Sequence, residues 1–154
     1  MKKITPFLWF DDNAEEAAKF YVSVFKKGRI VSRMTMGKKK GKPVGVTFQI
    51  EGLELIAFNG GPHYKLSPAI SLFVDCKTQK EVDTLWNKLS KGGEESRCGW
   101  LTDKFGMSWQ IIPSMLSKNL YDKDPVRAGR VFEAMLKMGK IDIAKLQKAY
   151  KGEA

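Results

Sequence analysis

Few side chains in this 154-residue chain could do chemistry. Two amides, Asn59 and Gln110, could orient a small polar ligand by hydrogen bonding; satisfying backbone or water groups is the alternative, and the sequence leaves both open. Phe7, Trp9, Phe73 and Trp100 could line a site for a planar or apolar molecule. Plain packing between modules or subunits explains the same four rings at least as well. Cys98 could be activated by His63, the only histidine, but no third residue stands ready to orient the pair. Free cysteine is among the most buried residue types, so an inert thiol is the better reading. Asp103, just before Phe105-Gly106, suits a turn-stabilising carboxylate better than a catalytic acid. The chain has no P-loop, no Ser-His-Asp order and no paired Cys-x-x-Cys.

These residues must be positioned by an element pattern that occurs twice. Residues 4–10 alternate as a strand, followed by Asn13 and Glu16 in a capping-box-like arrangement. Ala14, Ala17, Ala18, Tyr21, Val22 and Phe25 then recur at helical spacing, and Gly28 marks the end. Residues 69–74 repeat the opening strand. Thr78 and Glu81 repeat the cap, and Val82, Leu85, Trp86 and Leu89 repeat the stripe. Each helix is followed by three strand candidates: 29–36, 44–51 and 53–58, then 94–98, 100–104 and 108–112. Gly106 permits the positive φ of a tight reversal before the last. The pattern predicts an α+β fold of two βαβββ modules, at 1–61 and 69–113. Residues 62–68 form a glycine- and proline-bearing linker, and 114–154 a C-terminal helical extension. In the extension, Asp124-Pro125 opens one helix with Ala128, Val131, Phe132, Met135 and Leu136 on its apolar face. Asp142 caps another, with Ile141 stapled onto Leu146.

Composition narrows the class. With 43% hydrophobic residues the chain can bury a core, and two cysteines do not make a disulfide scaffold. No run is long and apolar enough to span a bilayer, and the N-terminal residues lack a signal-peptide pattern, so a reduced, cytoplasmic protein is expected. The net charge of +10 is partly local, in Lys38-Lys39-Lys40-Gly41-Lys42. A solvated hairpin tip accounts for that run better than a nucleic-acid contact does, and no nucleic-acid-binding motif accompanies it.

Several segments together carry a resemblance. They are Ile4-Thr5-Pro6-Phe7-Leu8-Trp9-Phe10 with Asn13-Ala14-Glu15-Glu16-Ala17, Phe58-Asn59-Gly60-Gly61-Pro62, Ser71-Leu72-Phe73-Val74, Cys98-Gly99-Trp100-Leu101, Trp109-Gln110-Ile111-Ile112-Pro113 and the tail from Ala134 to Asp142. With the doubled module, they resemble the PhnB-like branch of the vicinal-oxygen-chelate (glyoxalase, bleomycin-resistance, dioxygenase) superfamily, a branch often labelled 3-demethylubiquinone-9 3-methyltransferase. The resemblance implies cupped sheets, a ligand cleft inside them and a homodimer. Strand parity then places Thr5, Phe7, Trp9, Leu55, Ala57, Asn59, Ala69, Ser71, Phe73, Ser108 and Gln110 toward the cleft, with Trp100 completing the aromatic lining.

The ligand positions of metal-dependent members fall near Thr5 or Pro6, Leu55, Ala69 and Gln110. None of these is a histidine or carboxylate, so no metal site and no cofactor are expected. The reading is a metal-independent protein that binds an apolar or aromatic small molecule. The alternative is an enzyme, either the methyltransferase of the label or a lyase or dioxygenase with a non-standard metal site. Against methyl transfer, the first strand ends Phe10-Asp11-Asp12-Asn13, without the glycines of a Rossmann-type turn.

Overall fold

A computed structural model describes residues 2–36 and 41–153. Most of the lysine run at 38–42 therefore lies outside the described residues; of it, Lys42 sets its ammonium 3.4 Å from Asp12. The architecture is α+β and divides into two compact units, Met1–Leu66 and Ser67–Ala154.

The first unit contains β1 (Phe7–Phe10), α1 (Ala14–Val24), β2 (Arg29–Met34), β3 (Gly45–Ile50) and β4 (Leu53–Asn59). Its sheet has the order β1-β4-β3-β2, with β1 parallel to β4 and the remaining pairs antiparallel. One sheet face, carrying Leu8, Phe10, Val46, Phe48, Leu55 and Ala57, is buried together with Ala14, Ala17, Ala18, Tyr21 and Val24 of α1. Three alanines let the helix lie close, and the Tyr21 ring stacks on Phe48 with centroids 5.9 Å apart. The opening strand is shorter than expected. Ile4 is exposed, and Thr5 precedes the strand, its hydroxyl donating to the Lys2 carbonyl at 3.3 Å.

The second unit repeats the topology with β5 (Ser71–Cys76), α2 (Gln79–Ser90), β6 (Glu94–Glu95), β7 (Trp100–Thr102) and β8 (Ser108–Pro113), in sheet order β5-β8-β7-β6. Ala69 and Ile70, expected inside the opening strand, lie in an exposed turn before it. Half of the α2 capping box forms as read: Thr78 Oγ1 accepts from the Glu81 amide at 3.2 Å, while the Glu81 carboxylate reaches one residue further back, to the Lys77 amide at 2.7 Å. Asp103 is 2% exposed. Its carboxylate accepts from the Phe105 amide, the Met107 amide and the Trp109 indole at 2.8, 3.1 and 2.8 Å, so it builds the β7–β8 turn.

Three helices follow: α3 (Ser114–Leu120), α4 (Pro125–Leu136) and α5 (Ile143–Lys151). The sequence reading missed α3. Asp124 and Asp142 cap α4 and α5 as expected. Ile112 of β8 joins Leu116, Val131, Ile141 and Leu146 in one buried cluster, which fixes the extension to the second sheet. Phe132 and Leu136, expected on the buried face of α4, are about half exposed.

Polar contacts reinforce this docking. Gln79 at the start of α2 donates to the Ile141 carbonyl at 3.0 Å and accepts from the Ile143 amide at 2.8 Å. Lys140 pairs with Asp83 at 2.8 Å. The amides of Cys98 and Gly99 donate to the carbonyls of Met138 and Gly139, both at 2.8 Å. Both donors have left-handed backbone, at φ 58° and 81°. Position 99 favours glycine twice over, by its φ and because a Cβ there would lie 2.9 Å from the Ile111 carbonyl oxygen. Cys98 holds the same region as a non-glycine residue, a strain of roughly 1–3 kcal/mol offset by its neighbours.

Candidate binding pocket

The observed registers decide which side chains each sheet turns away from its helix. On β1, Leu8 and Phe10 are buried with α1, so Phe7 and Trp9 point to the open face as expected. The register pairs Phe7 with Ile56 and Trp9 with Phe58, which puts Ile56 and Phe58 on that open face too. The parity expected for β4 is therefore inverted. Leu55 and Ala57 are 0% exposed on the α1 side and line no open face. Asn59 shares their side. Its Oδ1 accepts from the Ala14 amide at 2.8 Å and its Nδ2 donates to the Pro43 carbonyl at 3.0 Å. It thereby supplies the α1 cap expected from Asn13, whose own side chain makes no capping bond.

The first unit's open face is aromatic. Phe7 and Trp9 lie 5.2 and 5.4 Å from the Phe58 ring, and Tyr64 packs edge-on against Trp9 at 5.1 Å. Trp9 Nε1 donates to the Gly61 carbonyl at 2.9 Å. Gly60 makes room for that ring, since a Cβ there would sit 2.2 Å from an indole carbon. The Phe58-Asn59-Gly60-Gly61 motif is thus explained by a cap and a tryptophan seat. Glu54, which the sequence reading overlooked, shares the parity of Ile56 and Phe58. Its Oε1 is buried without a hydrogen-bond partner.

The second unit's open face carries a pocket. Register places Trp100 beside Gln110 and Gln110 beside Phe73, so an indole, an amide and a phenyl ring form one row across β7, β8 and β5. The next row is Thr102, Ser108 and Ser71. Gln110 Nε2 donates to Ser71 Oγ at 2.9 Å, leaving its carbonyl oxygen without a protein donor among the described residues. Ser108 is 1% exposed and its hydroxyl is buried without a partner; it does not line the pocket.

The extension provides a partial roof. Leu116 and Leu120 of α3, Tyr121, and Phe132 and Met135 of α4 line the other side of an open-sided cavity of about 620 Å³, with Tyr121 itself exposed. Ile112 and Cys98 complete the floor. Of the expected site residues, Phe73, Trp100 and Gln110 therefore meet in this pocket, with Ser71 supporting Gln110. Phe7 and Trp9 belong to the first unit's open face.

The pocket is poor in reactive groups. No charged side chain lines it. Cys98 lines it, while His63 belongs to the other unit. The second cysteine, Cys76, is buried, and burial pushes its thiol up to about 12, so it stays protonated at neutral pH. A divalent cation needs imidazole, carboxylate or thiolate donors. Hydroxyls, one amide and one thiol on this face do not fit such an ion. Among the described residues no three His, Cys, Asp or Glu side chains converge as a metal site would require.

Comparisons with known proteins agree with the fold. The family model described as 3-demethylubiquinone-9 3-methyltransferase matches residues 2–112. The PhnB protein of Bacillus cereus is 36% identical, covers 73% of this chain and 100% of its own, and superposes with a TM-score of 0.66. Protein PA1353 from Pseudomonas aeruginosa is 20% identical over 71% of this chain and 95% of its own, with a TM-score of 0.59. The fosfomycin resistance protein FosX of Mesorhizobium loti is 15% identical over 71% and 90%, with a TM-score of 0.50. The last two share the fold. None of the curated proteins matches this chain. The family match stops at residue 112, so the roof of the pocket lies beyond it.

Proposed function

The chain belongs to the 3-demethylubiquinone-9 3-methyltransferase family, the PhnB-like branch of the glyoxalase/bleomycin-resistance superfamily, and from that premise we propose that it binds an apolar or aromatic small molecule without a metal ion. The observation that carries this reading is the open-sided cavity of about 620 Å³ over the Trp100–Gln110–Phe73 row. Its size falls within the span of small-molecule sites, roughly 300–1,000 Å³, and a mostly apolar wall with few polar groups is their usual chemistry. Methyl transfer from S-adenosylmethionine is not favoured. The sulfonium, ammonium and carboxylate of that cofactor would enter a wall without charged partners, and burying unpaired charge is costly. The working form is a cytoplasmic homodimer, to be checked by sedimentation.

The test is a titration of metal-stripped protein with N-phenyl-1-naphthylamine, a neutral fluorescent probe. Saturable enhancement that persists in chelator and weakens in Trp100→Ala supports the reading. Binding that appears only after a divalent ion is restored, or no saturable binding at all, overturns it. Calorimetry with S-adenosylmethionine should give no heat of binding.

A further inference from the structure

Polar groups in a mostly apolar site decide what the site accepts, and the pocket's central one is Gln110. Its place is set by the sheet. Neighbouring strands run about 4.8 Å apart, so the row from Trp100 through Gln110 to Phe73 offers roughly 10 Å of aromatic–amide–aromatic surface. A flat ring system can lie over such a row with its rim at the amide. That amide is bonded to Ser71, whose hydroxyl oxygen receives Gln110 Nε2 at 2.9 Å. The groups left to meet a ligand are the carbonyl oxygen, which accepts, and the second hydrogen of the amide nitrogen. The hydroxyls of Ser117 and Tyr121 also line the wall, which carries no charge. A hydroxyl or N–H on a flat ring can donate to the free carbonyl oxygen, and an ether oxygen in its place cannot.

We infer that this pocket selects neutral planar molecules presenting a hydrogen-bond donor, such as a phenolic hydroxyl or an aromatic N–H, to Gln110 Oε1. Gln110 is then the specificity-determining residue, and Trp100 and Phe73 the stacking flanks. The inference rests on the binding reading above and adds the ligand's chemical class to it.

The experiment is displacement of bound N-phenyl-1-naphthylamine by two probes of similar shape, 2-naphthol and its methyl ether. One neutral hydrogen bond is worth roughly 3- to 10-fold in affinity, so 2-naphthol should displace the dye at roughly 3- to 10-fold lower concentration than the ether. Gln110→Leu should bring naphthol and ether level. Circular dichroism checks that the variant folds. Equal displacement by naphthol and ether in the unaltered protein overturns the inference, as does a preference that survives Gln110→Leu. Failure of the dye itself to bind sinks the binding reading and the inference together, an outcome distinct from dye binding without discrimination.

Discussion

The two units share a strand order and part at their open faces. In the first, Phe7, Trp9, Phe58 and Tyr64 form an aromatic surface, and α1, the unit's helix, lies on the other side of the sheet. Phe7 is 55% exposed. In the second, the chain's own α3 and α4 stand over part of the equivalent face and leave a pocket open to solvent, with Phe73 still 53% exposed. One topology thus gives an aromatic surface or a cavity according to whether helices follow the last strand. The residues that build the roof are ordinary apolar ones. What places them is the cluster from Ile112 to Leu146 and the polar clamp of Gln79, Asp83 and Cys98-Gly99.

The sharpest way to break the contrast is to loosen the roof's anchor. Leu146→Ala removes a fully buried side chain from the cluster joining α5 to the sheet. It should cost about 3 kcal/mol of second-unit stability by chemical denaturation and abolish dye binding. Chemical shifts of the first unit's α1 should stay in place.

The converse experiment targets the first unit. Asn59→Ala removes the acceptor at the Ala14 amide and the donor to Pro43. A loss of about 1 kcal/mol is expected, with the dye's affinity unchanged. A large loss of binding would return Asn59 to the site.

Acid should separate the units more gently. The Lys140 ammonium beside Asp83, with help from Gln79, holds its carboxyl below the ordinary value. Its stabilisation is therefore complete above the unfolded-state pKa, near pH 4, and fades as pH falls through the lower folded value. Both partners are about 40% exposed, so the pair should contribute no more than about 0.5 kcal/mol. Asp83→Asn should flatten that part of the acid stability profile.

The smallest effect concerns Ser108, whose buried hydroxyl lacks a partner. Ser108→Ala removes an unsatisfied group and should leave stability within about 0.5 kcal/mol of the original, or slightly raise it. A loss above about 1 kcal/mol would mean that the hydroxyl is bonded in solution.

The sequence was legible where its pattern was two-valued. β8 alternates Ser108 and Gln110 against Trp109 and Ile111, and its faces came out as read. In β4 the run Leu55-Ile56-Ala57-Phe58 is apolar on both sides, so alternation could not choose between them. The one informative residue was Glu54, whose parity marks the open face. Helix starts at Asp124 and Asp142 were readable because the capping carboxylate is local. The cap of α1 was not, because Asn59 reaches it from 45 residues away. α3 escaped because seven residues give too short a helical period to recognise. The roof itself depends on pairing Cys98-Gly99 with Met138-Gly139. Both segments carry the family resemblance, yet nothing in either announces the other.

Those paired peptide groups also act as a tally. The Cys98 and Gly99 amides precede β7 and their acceptors lie between α4 and α5, so any undocking of the tail would leave two protons open to solvent water. Their deuterium uptake, set against that of strand amides in the same sheet, would count how often the extension leaves the sheet.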